Sequence, residues 1–302
     1  MPIDPDVLAK IGRLDLKARA IVEGFMTGMH KSPYKGYSVE FAQHRGYVPG
    51  DDLKHIDWKV WGKAERFYIK QYEAETNLVC TLLVDSSTSM RYAGASAHGK
   101  LSKLAWAQLA AAALTYLVLN QSDAVAAGTF ADGINGWVER STRKIHLQRV
   151  VDILEQAPEA RQTGIGKALH ELAQRVRRRG IVVVFSDLFD DVATLLPGLA
   201  HLRHGGHEVV VVQVLDHDEL TFPFEGMVQF KGLEAPGIAL CHPRSVKKAF
   251  LEELQKHLSA VKAACQRNGI EYVQADTRMP VDVVLSAYLA RREHMAAAGG
   301  RG

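Results

Sequence analysis

The segment NLVCTLLVDSSTSM, residues 77–90, begins with a continuous apolar run and ends in a loop rich in hydroxyl groups. An apolar run without alternating polar residues is typical of a strand covered on both faces, as in a parallel sheet. The runs IVVVFSD at 181–187, HEVVVVQVLD at 207–216 and IEYVQAD at 270–276 are similar, and all four end in an aspartate. Because the carboxyl ends of parallel strands share one edge of a sheet, the sequence predicts four carboxylates along that edge.

Helical patterns separate these strands. Apolar residues recur at helical spacing over 100–120, 145–156, 164–178, 244–268 and 281–293. An Asp-Gly turn joins two further predicted strands, 123–131 and 134–140, and residues 225–241 predict a small β excursion. Alternating strands and helices predict an α/β fold with a doubly wound, mostly parallel sheet of the Rossmann type. In the usual strand order of such sheets, the strands that end at Asp85 and Asp187 are neighbours.

The first 76 residues differ from the regular pattern that follows them. Residues 6–27 predict an amphipathic helix, and residues 65–74 predict a strand. We expect residues 1–76 to form an N-terminal segment packed on a main domain, 77–294, which a flexible tail, 295–302, follows.

The composition narrows the class of protein. The 302 residues include 37 Lys and Arg and 34 Asp and Glu, and the net charge of +3 gives no argument for nucleic acid. The three cysteines are odd in number and form no CxxC pair, which disfavours a disulfide framework and a cysteine-based zinc site. The N-terminus lacks the apolar core of a signal peptide, and the most apolar stretch, 104–119, is shorter than the ~20 residues of a membrane span. We therefore expect a cytoplasmic protein with no membrane span.

The loop after the first apolar strand predicts a metal site. Asp85, Ser87 and Ser89 alternate, so a turning loop can point their oxygens the same way. Thr163 precedes a predicted helix whose N-terminus lies on the same edge, and Asp187 ends the neighbouring strand. Two carboxylates and three hydroxyls suit Mg²⁺, which prefers oxygen ligands and retains water, with Mn²⁺ and Ca²⁺ as alternatives.

Other polar residues have plainer interpretations. Asp216 and Asp276 end the remaining strands and are weaker candidates for an outer role at this site, since ordinary loop positions explain them as well. His201, His204 and His207 are spaced by three, but Gly205-Gly206 interrupts the helix and no acid joins them at ligand spacing. We expect these three to be surface histidines.

The pattern Asp85-x-Ser87-x-Ser89, followed by Thr163 and by Asp187 after VVVFS, resembles the metal-ion-dependent adhesion site of von Willebrand factor A domains. The resemblance in fold covers residues 77–276. It implies that the three hydroxyl residues approach the metal directly and that the two aspartates act directly or through water. It also implies that an acidic side chain of a partner protein fills the open coordination position.

A second resemblance spans nearly the whole chain. The segments RGYVPGDD at 45–52 and IDW at 56–58 are similar to the bacterial domain-of-unknown-function 58 family. This resemblance implies association with a MoxR-type AAA+ ATPase and an adaptor or co-chaperone role in maturing or remodelling protein complexes. The candidates for a partner surface, or for an ion-paired clasp onto the main domain, are Arg45, Asp51, Asp52, Asp57 and Trp58.

We therefore expect an interaction module and not an enzyme, since no general base or nucleophile lies near the metal residues in sequence. The rival is a Mg²⁺-dependent phosphoryl hydrolase of the haloacid-dehalogenase type, which also begins from an aspartate at the end of a first strand. Such enzymes need a second aspartate where Ser87 stands and a lysine, for which Lys167 is a loose candidate. We expect Asp85→Ala to abolish metal binding and keep the fold, because Asp85 is expected on a solvent-facing edge.

Overall fold

The computed structural model describes residues 13–29, 44–46, 68–70, 78–94, 101–158, 164–233, 237–282, 284–286 and 288–290. Side chains are described for the same ranges without 26–29, 44–46 and 68–70. The predicted N-terminal helix is present as α1 (Leu14–Met29), and the part predicted before residue 13 lies outside the described residues. Of the strand predicted over 65–74, the described part is β2 (Tyr68–Lys70), which pairs antiparallel with β1 (His44–Gly46).

From residue 78 onward, strands alternate with helices as predicted. In chain order the elements are β3 (Val79–Asp85), α2 (Lys103–Asn120), β4 (Ala124–Phe130), β5 (Ile134–Ser141), α3 (His146–Glu155), α4 (Ile165–Arg175), β6 (Ile181–Ser186), α5 (Val192–His204), β7 (Glu208–Leu215), α6 (His217–Thr221), β8 (Val228–Lys231), β9 (Ile238–Cys241), α7 (Pro243–Arg267) and β10 (Glu271–Asp276). Within the predicted last helix, residues 282, 284–286 and 288–290 are helical. The predicted small β excursion is the antiparallel pair β8 and β9.

The main sheet has six strands in the order β10-β7-β6-β3-β4-β5. Its neighbouring strands are parallel except for β4 and β5, which form the antiparallel hairpin predicted from the Asp-Gly turn. The doubly wound, mostly parallel α/β fold is therefore confirmed. β3 lies beside β6, with Leu82 opposite Val183, so the strands that lead to Asp85 and Asp187 are neighbours at the carboxyl edge.

The two central strands are buried on both faces, which explains their continuous apolar sequence. Leu82 and Val183 face a core formed with α1, α2 and α3. Leu83 and Val184 face a second core formed with α4, α5 and α7. Because neither face meets water, no position in the middle of these strands has to be polar.

The most apolar helix, α2, is buried along nearly its whole length between the sheet and α1. The Ser102 hydroxyl accepts a hydrogen bond from the Ala105 backbone N–H at 3.1 Å and so fixes where the helix begins. This agrees with its interpretation as a core helix. Within the described ranges, no helix has both the length and the apolar character that crossing a membrane requires.

Burial disfavours the charged form of two histidines. His146 in α3 and His207 before β7 each donate through Nε2 to a backbone carbonyl, at 2.9 Å to Val125 and 3.1 Å to Val176. Each Nδ1 is buried and has no hydrogen-bond partner among the described residues, and burial lowers the pKa of both imidazoles despite those carbonyl bonds. His207 was expected on the surface, and this expectation is wrong because the residue is buried. The backbone of Gly206 adopts the left-handed conformation, and the chain turns there so that the His207 ring points inward.

We expect acid to destabilise the fold through His146 and His207. Their pKa is lower in the folded chain than in the unfolded chain, so the unfolded chain binds the protons first as the pH falls. The two neutral rings contribute fully to the free energy of unfolding above about pH 6.5. Below that pH the contribution falls, by at most about 1.4 kcal/mol per pH unit for each ring. Urea unfolding of the wild type and of His146→Gln between about pH 7.5 and about pH 5.5 isolates the contribution of His146 as the difference between their slopes, because titration of Asp85 is common to both. The variant His146→Gln keeps an amide donor and should have a shallower slope, whereas an unchanged slope would contradict the assignment.

Candidate metal site

Asp85 ends the central strand β3, and its carboxylate is held by two donors. Oδ1 accepts a hydrogen bond from the Ser87 backbone N–H at 2.9 Å, and Oδ2 accepts one from the Ser186 hydroxyl at 2.6 Å. The expectation of a solvent-facing Asp85 is wrong, since the residue is 0% exposed. The reason is that the loop after β3 and the end of β6 both close over this carboxylate.

The loop after β3 brings its two alternating hydroxyls together. Ser87 Oγ and Ser89 Oγ are 3.0 Å apart. The loop turns because the Met90 N–H donates to the Ser87 carbonyl at 3.2 Å, and the buried Met90 side chain anchors the turn in the core. The alternation read in the sequence therefore corresponds to two oxygens that lie on the same side of the loop.

Asp187 follows β6 directly and is buried beside the end of β3. Its backbone carbonyl accepts a hydrogen bond from Gln213 Nε2 at 2.7 Å, which fixes the turn after the strand. The structure thus brings Asp85, Ser87, Ser89 and Asp187 to one edge of the sheet. Their role as metal ligands stays a prediction.

The remaining predicted ligand, Thr163, lies outside the described residues. The next residue, Gly164, donates through its backbone N–H to the Ala131 carbonyl at 2.7 Å, immediately after β4. Because β4 is the neighbour of β3, helix α4 begins on the same edge as Asp85. The candidates for a partner surface, Arg45, Asp51, Asp52, Asp57 and Trp58, lie outside the part of the chain whose side chains are described.

A lysine that the sequence did not single out lies at the same edge. Lys103, the first residue of α2, is 0% exposed, and its Nζ donates to Asp187 Oδ2 at 2.9 Å and to Glu219 Oε1 at 2.7 Å. The ammonium group also lies 5.2 Å from the centre of the Phe189 ring. Burial by itself lowers the pKa of Lys103, but the charges of Asp187 and Glu219 outweigh it and raise the pKa above its ordinary value. Lys103 is therefore a buried, charged cation.

Glu219 belongs to a capping box at the start of α6. The Asp216 side chain accepts the Asp218 N–H at 2.9 Å, and the Glu219 carboxylate accepts the Asp216 N–H through Oε2 at 2.8 Å. Asp216 also accepts the Gly94 N–H at 3.1 Å. Asp276 pairs instead with His217, at 2.8 Å. Asp216 and Asp276 thus have structural partners of their own, in line with the plainer interpretation of both.

Burial and the neighbouring carboxylate both act against the charged form of Asp85. Burial, and then the charge of Asp187, raise the pKa of Asp85 to about 7, although the Ser186 hydroxyl and the Ser87 N–H act in the opposite direction. Burial also raises the pKa of Glu219, and the Lys103 ammonium opposes that shift. A buried carboxylate next to a second carboxylate keeps its charge most easily when a cation lies between them.

The donor chemistry fits a hard divalent cation. Two carboxylates and two hydroxyls within one loop and one strand end supply oxygen ligands only, which Mg²⁺ prefers over the softer metals. Among the described residues, no cluster of three or more His, Cys, Asp or Glu side chains has the geometry of a metal site.

Comparison with known proteins identifies relatives without an assigned function. Residues 43–260 match the family described as protein of unknown function DUF58. The uncharacterized proteins Rv1480 of Mycobacterium tuberculosis and Mb1516 of Mycobacterium bovis are 28% identical over 235 residues, which cover 77% of this chain and 72% of each relative.

Solved structures with similar chain tracing have low sequence identity. The conserved hypothetical protein BatB from Bacteroides thetaiotaomicron is 16% identical, with 71% of this chain and 98% of that chain covered and a TM-score of 0.44. An aerotolerance-related membrane protein from Bacteroides fragilis is 16% identical, with 69% and 97% covered and a TM-score of 0.45. The VWA domain of SpRpn10 is 10% identical, with 69% and 93% covered and a TM-score of 0.37.

Proposed function

This chain belongs to the DUF58 family of proteins of unknown function, and we propose that it is a Mg²⁺-dependent protein-interaction module. The observation that carries the proposal is the gathering of Asp85, Ser87, Ser89 and Asp187 at the carboxyl edge of two neighbouring strands. These four residues, with Thr163 by resemblance, would hold the ion. When bound, Mg²⁺ supplies a positive centre that an acidic side chain of a partner protein can ligate.

The residues around the site suit binding better than catalysis. The Asp85 carboxylate accepts hydrogen bonds at both oxygens and lies buried, so its position is fixed and it is shielded from bulk water. Ser87 and Ser89 hydrogen-bond each other at 3.0 Å. Among the described contacts, neither hydroxyl lies within hydrogen-bond distance of a histidine or lysine. Neither serine therefore has beside it the general base that would activate it as a nucleophile. The partner that family resemblance supports is a MoxR-type AAA+ ATPase, with this chain as adaptor or co-chaperone.

The proposal predicts a partner retained only with the metal and with Asp85. We would pass native lysate over the immobilised chain with Mg²⁺, with EDTA, and with the variant Asp85→Asn, and identify bound proteins by mass spectrometry. We expect the wild-type chain to retain a MoxR-type ATPase or its client in the presence of Mg²⁺. This partner should be lost with EDTA and with Asp85→Asn. The control variant Asp152→Asn removes the same charge from the exposed face of α3 and should bind as the wild type does. Equal recovery in all conditions would contradict a metal-mediated interface.

The contact of Lys103 with Asp187 supports a second candidate, the Mg²⁺-dependent phosphoryl hydrolase, because such enzymes need a lysine at the acidic edge. Lys167, considered from sequence, lies instead beside the turn at Gly133. Hydrolysis of a generic phosphate ester separates the two candidates. Mg²⁺-dependent turnover that disappears in Asp85→Asn would replace the interaction module with the hydrolase, and no turnover is expected.

A further inference from the structure

We propose that Lys103 is a built-in competitor for the cation at this site: its ammonium group pairs with Asp187 when no metal is bound and must release Asp187 when one binds. This inference rests on the metal site proposed above and adds that Lys103 sets the affinity of that site for the metal ion. Lys103 Nζ lies 2.9 Å from Asp187 Oδ2, so a carboxylate expected to face the metal is already neutralised by a tethered charge.

The position of Lys103 makes the competition unavoidable. Helix α2 begins at this residue, the Ser102 cap fixes that start, and the helix is packed in the core. The residue is 0% exposed, so its ammonium group does not reach solvent as that of an exposed lysine does. Among the described residues, its anionic partners are Asp187 and Glu219.

Glu219 provides the place that the ammonium can keep when Asp187 turns to a metal. Lys103 Nζ lies 2.7 Å from Glu219 Oε1, while Glu219 Oε2 accepts the Asp216 N–H in the capping box of α6. A bound metal would thus leave Lys103 paired with Glu219 alone.

Charge balance gives the direction of the effect. Asp85, Asp187 and Glu219 carry three ionisable carboxyls at this edge, and Lys103 pairs with the last two and not with Asp85. Removing the ammonium frees Asp187 and leaves more negative charge for a divalent ion to balance. Removing Glu219 has the opposite effect, because the ammonium then has Asp187 as its one remaining carboxylate contact among those described.

The test is metal affinity, measured by calorimetric titration of the full chain with Mg²⁺ and Mn²⁺. Lys103→Met should bind at least about tenfold more tightly than the wild type, the size of effect that neighbours of metal ligands commonly have. Glu219→Gln should bind more weakly. The control Lys248→Met removes the same charge from an exposed side chain of α7 and should leave affinity unchanged. The gain in Lys103→Met should persist in high salt, since screening weakens distant charges far more than a buried contact.

The outcomes separate this inference from the proposed function. Equal or weaker metal binding by a folded Lys103→Met chain, with the wild type still binding, overturns the competitor role and leaves the metal site intact. Absence of binding by the wild type and by Lys103→Met overturns the metal site and the inference together. If Lys103→Met does not fold, Glu219→Gln decides, because equal or tighter binding by that variant overturns the competitor role.

Discussion

Replacing Val183 by aspartate should leave no cooperatively folded protein. Val183 lies in the middle of β6, 1% exposed, opposite Leu82 of β3 on one side and Val210 of β7 on the other. Its side chain packs in the core beneath α2. An aspartate here has no partner of opposite charge on a strand surrounded by apolar side chains, so its carboxylate stays unpaired or must take up a proton against its ordinary pKa.

The size of this effect follows from the small stability of a domain. The valine contributes about 1.5 to 3 kcal/mol through burial, and an unpaired buried charge costs several kcal/mol more. Together these losses approach the free energy of unfolding of a typical domain, which is about 5 to 15 kcal/mol.

Circular dichroism and urea unfolding test this prediction. Val183→Ala should keep the fold and lose about 2 kcal/mol, whereas Val246→Asp, at a more exposed position of α7, should change stability by less than about 0.5 kcal/mol. A native spectrum with a cooperative urea transition in Val183→Asp would show that this strand is not central to the fold.

The sheet could be predicted because its signals are local and its topology follows general rules. The runs that became β3, β6 and β7 lack polar alternation, which parallel burial explains. The usual order of a doubly wound sheet then placed the ends of β3 and β6 together. On that basis alone, Asp85 and Asp187 could be assigned to one edge, although they lie 102 positions apart in the sequence.

Burial at the edge could not be predicted, since it depends on contacts between distant segments. Asp85 was expected in solvent, but the Ser186 hydroxyl, 101 residues away, covers its Oδ2. A serine before a strand-ending aspartate is too common a pattern to indicate such a contact. The strand period could indicate which face Ser186 is on, but not that its hydroxyl would meet a carboxylate of the neighbouring strand.

Lys103 was missed for a related reason. A lysine at the start of a helix is ordinarily exposed, and its two carboxylate partners lie 84 and 116 residues further along the chain. Two signals were nevertheless present: the lysine opens the most apolar helix of the chain, and Asp216-x-x-Glu219 has the spacing of a capping box. The first indicates that the lysine is near the core, and the second indicates where one carboxylate is fixed.

Removing Lys103 alone should destabilise the fold strongly in the absence of divalent cations. Lys103→Met keeps the length of the side chain but leaves the buried Asp187 and the half-buried Glu219 without their cation. Breaking one side of a buried ion cluster in this way costs about 3 to 5 kcal/mol. Chemical denaturation in EDTA measures this loss.

The same cluster should tolerate the loss of all its charges together. In Lys103→Met/Asp187→Asn/Glu219→Gln no charge of this cluster is left without its partner, and glutamine can still serve in the capping box of α6. We expect this triple variant to recover most of the stability that the single variant loses, because neutralising a buried ion cluster is often neutral or stabilising. A triple variant as unstable as Lys103→Met would show that the cluster itself holds the fold together. Recovery would mean that stability does not require these charges, as the proposed role of Lys103 at the cation site expects.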